Sequence, residues 1–174
     1  MLSANLPVRR LFTPARTVFL ALIAATLAQM AWYYPRLPVR VASHFDAAGQ
    51  ANAFLPKDAF FAVHLVVLGL MSLVFLVVPA LIVRLPPTLI NLPNKEYWLA
   101  PERRVRTAEK LQSFLVGFGN VMVLFLLLVF GEAMRANLLP RPHLSNRIWV
   151  MLVLLGVWVI GWTVRLVRAF RLPN

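Results

Sequence analysis

The chain has 174 residues, of which 60% are hydrophobic and 14% charged, with no cysteine and a formal charge of +12. Soluble domains carry about a quarter charged residues, so one soluble core fits poorly, and the missing cysteines exclude disulfides and thiolate chemistry. Lys and Arg stand at the edges of apolar blocks, which points to topology control and contact with membrane lipids rather than to nucleic acid.

Four blocks lack Lys, Arg, Asp and Glu altogether: residues 17–34, 60–83, 111–131 and 148–164. About 20 helical residues cross a hydrocarbon core of about 30 Å, and a backbone in lipid must bond to itself. Each block is therefore read as a transmembrane helix. The fold class is an all-α integral membrane protein of four transmembrane helices, one domain over residues 1–174, with a short extended segment in the first outer loop.

The first block follows Arg9, Arg10 and Arg16 and resembles the start of a cleaved signal peptide. Its apolar run continues to Trp32, Tyr33 and Tyr34, an aromatic trio suited to an outer interface, and a retained span is preferred. Ala21 and Ala25, with Ala24 and Ala28, are spaced by four and are expected to face the bundle.

The outer loop, 35–59, contains Val39, Val41, Ser43 and Phe45 alternating with Arg40, Ala42, His44 and Asp46. A period of two predicts a short strand, and Asp46 to Gly49 a turn with Gly49 at positive φ. In the second block, 17 of 24 residues are Leu, Ile, Val or Phe. Pro79 should kink its last turn, and Gly69 and Ser72 are expected at a helix interface.

The inner loop, 84–110, is dense in polar chemistry, with Asn91, Pro93, Asn94, Lys95, Trp98, Pro101, Glu102, Arg103 and Arg104 forming a second candidate surface. Pro101 is placed as a first helical residue, Glu102 should pair with Arg106, and Tyr97 and Trp98 should lie at the inner interface. In the third block Gly117 and Asn120 are expected to pack, with Asn120 the most buried polar side chain, hydrogen-bonded between helices. Gly156 and Gly161 play the packing part in the fourth block.

Twelve Lys and Arg fall on the side holding both termini and the 84–110 loop, and six on the other. The positive-inside rule then places both termini in the cytoplasm. His44, Asp46, His143, Glu132 and His64 all fall toward the outer face. Imidazole and carboxylate of this kind can hold a divalent metal, although nothing resembles a zinc-protease helix, a nucleophile elbow or a phosphate loop. Interfacial histidines bonded to backbone or headgroups are the simpler reading, with no cofactor.

The outer loop resembles a bacterial membrane family, the domain of unknown function 1648. That domain also occurs in sporulation-delay immunity proteins, which guard a cell against its own secreted toxin. The positions that carry the resemblance are Leu37, Pro38, His44, Phe45, Gly49 and Lys57, and Asp46 also fits. Ala42 stands where the family usually has Pro, and Leu55-Pro56 replaces its usual Gly-Ser. The resemblance implies a multi-pass protein of the bacterial inner membrane with an immunity-like role.

The preferred expectation is a non-enzymatic protein for recognition, sensing or immunity. It acts through His44, Asp46, Gly49 and Lys57 on a membrane or secreted peptide partner, with a homo-oligomer allowed. One alternative is a metal-dependent membrane enzyme using His44, Asp46 and His143. Another is a small transporter or transporter subunit with Asn120 and Gln112 on its path.

Overall fold

The computed structural model describes residues 13–172. Arg9 and Arg10, counted above for topology, lie outside the described residues.

Helix α1 (Pro14–Tyr33) starts where Thr13 accepts a hydrogen bond from the Arg16 backbone, with Pro14 as its first residue. After a tight turn come two antiparallel strands, β1 (Arg40–Phe45) and β2 (Ala51–Pro56). Helix α2 (Lys57–Ser72) follows directly, widens into a π turn at Leu73–Val77, and continues as α3 (Val78–Leu81). Two short 3-10 turns and the four-residue α4 (Lys95–Trp98) lead to α5 (Arg104–Ala136), and α6 (Arg147–Ala169) completes the order.

Four helical stretches are long and apolar enough to cross a membrane: Pro14–Arg36, Lys57–Leu81, Arg104–Ala136 and Arg147–Ala169. The chain is a multi-pass membrane protein. The helices outrun the uncharged blocks because helix geometry continues into the charged flanks. At about 1.5 Å per residue, α5 is about 50 Å long, more than the core it crosses.

The expected strand is present, and it is half of a hairpin. Gly49, at φ 80°, closes its turn. Simple alternation does not survive: Val39 is exposed, while neighbouring Val41 and Ala42 are both buried. The register slips between Ala42 and His44, so the chain bulges there and turns Ala42 inward as well.

Helix α5 is the spine, touching α1, α2, α3 and α6. Near the hairpin, Met30, Leu37, Val41, Phe60, Phe61 and Met134 form one core cluster. Nearer the other end, Phe19, Leu68 and Val123 form a second, with Leu22, Ile23 and Phe75 against it.

The small-residue packing surfaces are corrected. Ala21, Ala24, Ala25 and Ala28 are exposed, and a Cβ added at Gly69, Gly117, Gly156 or Gly161 would meet nothing within 4 Å. Helix α1 packs instead through Phe19, Thr26 and Met30, and the small partners are on α5. A Cβ on Gly119 would collide with Phe75 and Phe19, and one on Gly131 would lie 2.8 Å from the Gln29 amide nitrogen. Ser72 turns its hydroxyl back to the Leu68 carbonyl, 2.9 Å away. Asn120 is only half-buried, less so than Thr26, His64, Thr107, Glu132 and Asn137. Its amide does join helices, donating to the Ala15 carbonyl at 3.0 Å.

Two further expectations shift. Pro79 follows a π turn that the sequence did not suggest, and the wider turn accommodates the hydrogen bond that proline cannot donate. Regular α5 begins at Arg104, not Pro101. Residues 101–103 form a lead-in turn in which the Arg103 and Arg104 N–H groups both donate to the Ala100 carbonyl. Among the described residues, Glu102 and Arg106 form no ion pair; the ion pairs gather on Glu132.

Candidate functional site

The hairpin is docked on the bundle by a side chain that imitates a strand. The Asn137 Oδ1 accepts the Ala42 N–H at 2.6 Å, and its Nδ2 donates to the Ala42 carbonyl at 3.0 Å and to Ala133 at 2.9 Å. Both residues are buried. One amide therefore satisfies both backbone groups of Ala42, which would otherwise be buried without partners. A proline at this position would have no N–H to donate. Asn137 gave no signal in the sequence: a lone Asn after a long helix reads as an ordinary end, and its partner is 95 residues away.

The turn is fastened separately. Asp46 accepts the Gln50 N–H at 2.8 Å and its own N–H donates back to the Gln50 carbonyl at 2.9 Å. The Leu144 N–H donates to the Gly49 carbonyl at 2.9 Å, and Gln50 bridges His143. A Cβ at Gly49 would sit 2.8 Å from the Leu144 oxygen and against the His143 ring, so glycine is required by space as well as by φ. Where the hairpin leaves for α2, the Lys57 N–H donates to the Val39 carbonyl at 2.8 Å. Its ammonium lies 4.5 Å from the centre of the Tyr34 ring, and the Tyr34 hydroxyl donates to Asp58 at 2.6 Å. Asp46, Gly49 and Lys57 thus shape the loop, while His44 stays exposed on β1.

The proposed metal set does not assemble. Among the described residues, no three His, Asp or Glu side chains come together as a metal site. His64 is buried, with its Nδ1 2.8 Å from the Phe60 carbonyl and its ring against Phe130. Glu132 is occupied: it accepts from Arg135 at 2.8 Å and from Ser145 at 3.0 Å, with Arg147 at 3.9 Å. It ties the α5–α6 connection together. His44 is exposed on β1, the Asp46 carboxylate is taken up by the Gln50 N–H, and His143 packs beside Gly49.

The other end is closed by the 84–110 loop. Asn94, left-handed at φ 54°, donates from Nδ2 to the Phe170 carbonyl at 3.2 Å, and the Trp98 indole donates to the same oxygen at 2.8 Å. The Lys110 ammonium donates to the Ala169 carbonyl and lies over the Trp98 and Phe170 rings. These are the carbonyls that the last turn of α6 leaves without helical partners, and a cation there also suits the helix dipole. Thr107 donates to Trp98 at 2.7 Å, Arg103 to Tyr97 at 2.7 Å, and Arg104 to Leu85 at 2.6 Å. Asn91, Pro93, Lys95, Pro101 and Glu102 are exposed and join none of these bonds.

Four spans with a hairpin docked between the first two define a multi-pass membrane protein whose built feature is that hairpin. A family model described as Domain of unknown function (DUF1648) matches residues 21–70. The matched stretch takes in most of α1, the whole hairpin and most of α2. No curated protein and no solved structure matches the chain.

Proposed function

We propose that the chain is a non-enzymatic recognition protein of the bacterial inner membrane, of the sensing or immunity type. Both termini are cytoplasmic and the hairpin is its outward binding surface. The observation that carries this reading is the asymmetry of the two-stranded sheet. Asn137 occupies the free side of β1, whereas along the outer edge of β2 the described residues supply a partner only at its start, where His143 bridges Gln50. An open edge beside the exposed Phe54 and His44 suits an extended peptide, which adds as a strand and places side chains in turn. The Lys and Arg distribution supports the orientation.

The absence of cysteine makes the topology directly testable. In intact cells, a membrane-impermeant maleimide should label Gln50→Cys and leave Thr88→Cys unlabelled; the reverse pattern would overturn the orientation. For recognition, His44→Ala and Phe54→Ala should reproduce the phenotype of deleting the gene while membrane abundance stays at the wild-type level. Wild-type behaviour of both variants would count decisively against the hairpin as the binding surface.

A further inference from the structure

We propose that the seam between α5 and α6 binds an anionic phospholipid. The phosphate lies beside Arg165 and Arg168, and an acyl chain runs along the seam toward the hairpin end. The proposal is independent of the hairpin reading.

Three adjoining hollows make this seam. One of about 520 Å³ is lined by Ser113, Phe114, Gly117, Gly161, Trp162 and Arg165 of α5 and α6, and by Ala15 of α1. A second, of about 560 Å³, shares Phe114, Gly161 and Arg165 and adds Lys110 and Arg168. A third, of about 470 Å³, is walled by Val121, Leu124, Leu128, Leu154 and Trp158, and Trp158 also lines the first. The order along the helices is therefore cationic, then aromatic and open at two glycines, then wholly apolar. Among the described residues, no carboxylate lines any of the three.

That sequence of surfaces matches one amphiphile. Guanidinium groups suit a phosphodiester, which they can grip with paired N–H donors. Basic pockets between spans are a recognised setting for lipid headgroups. The glycines matter because a Cβ on either would meet nothing within 4 Å; among the described residues the space is present and unfilled. Lys110 is fixed by its bond to Ala169 and adds field rather than a free hand. A free phosphate would use the arginines and leave the apolar hollow unexplained. A second copy in the same orientation would bring its own cationic end to these arginines and be repelled.

The test uses the full chain in nanodiscs of zwitterionic lipid. Either brominated phosphatidylglycerol or brominated phosphatidylcholine is added at equal mole fraction, and fluorescence is read. The signal lost in a Trp158→Phe, Trp162→Phe double variant isolates the seam. Brominated phosphatidylglycerol should quench this signal at lower mole fraction. Arg165→Gln with Arg168→Gln should reduce that preference by roughly tenfold, whereas Arg141→Gln, at the hairpin end, should leave it intact. Gly161→Leu, whose Cβ meets no neighbour within 4 Å, should weaken quenching by both lipids by filling the hollow. Equal quenching by the two lipids in the wild type would overturn the proposal. So would a preference unchanged in the double arginine variant, displacement by millimolar inorganic phosphate, or a chain dimer that shields the seam from both lipids.

Discussion

At the hairpin end of the bundle, a neutral buried amide completes the hydrogen bonding of a strand; at the other end, an indole, an amide and an ammonium close the end of a helix. The first arrangement is shielded, with Ala42 fully buried and Asn137 nearly so. The second is partly open, and its donors come from one loop and the start of α5. The difference teaches where each end is vulnerable. A buried amide has no water to replace it, so its loss leaves two backbone groups stranded. A helix end near the surface can recruit water or a 3-10 turn, so its donors are individually replaceable.

Breaking the shielded end should have the largest effect. Asn137→Ala is expected to cost about 3 kcal/mol, read as a fall in the unfolding midpoint in mild detergent. Ala42→Pro, which removes the N–H donor and adds a ring at a fully buried position, should follow in the same direction. Next comes the contact that lets α5 approach α1 and the π turn. Gly119→Val should cost about 2 kcal/mol through overlap with Phe75 and Phe19. Opening the other end should be milder: Trp98→Phe keeps the ring packing against Phe170 and loses one donor, for about 1 kcal/mol. The smallest effect belongs to the exposed alanines. Ala21→Leu with Ala25→Leu should stay within about 0.5 kcal/mol; a loss of several would restore them to a helix interface.

These regions were not equally legible from sequence. The spans were, because charge-free apolar blocks of membrane length admit only helix. The turn was too, because Asp46 to Gly49 carries its own local chemistry. Asn137 was not, since its partner belongs to a distant loop and no local pattern marks a side chain that pairs like a strand. The packing faces were misread for a related reason. Small residues recur on α1, but the close approach is set by Gly119 and Gly131 on α5, with large α1 side chains laid against them. The outer His and carboxylate set was visible as a list, yet Glu132 is held by Arg135 and Ser145 and His64 lies among phenylalanines. Composition places residues on a side of the membrane; it does not decide which already have partners.

The most direct measurement is amide hydrogen exchange along residues 40–56 of the full chain in nanodiscs. The Ala42 amide should be protected as strongly as amides inside α5, and Asn137→Ala should release it while the α5 amides between 116 and 131 stay protected. An Ala42 amide that already exchanges in the wild type as fast as an exposed one would contradict a docked hairpin.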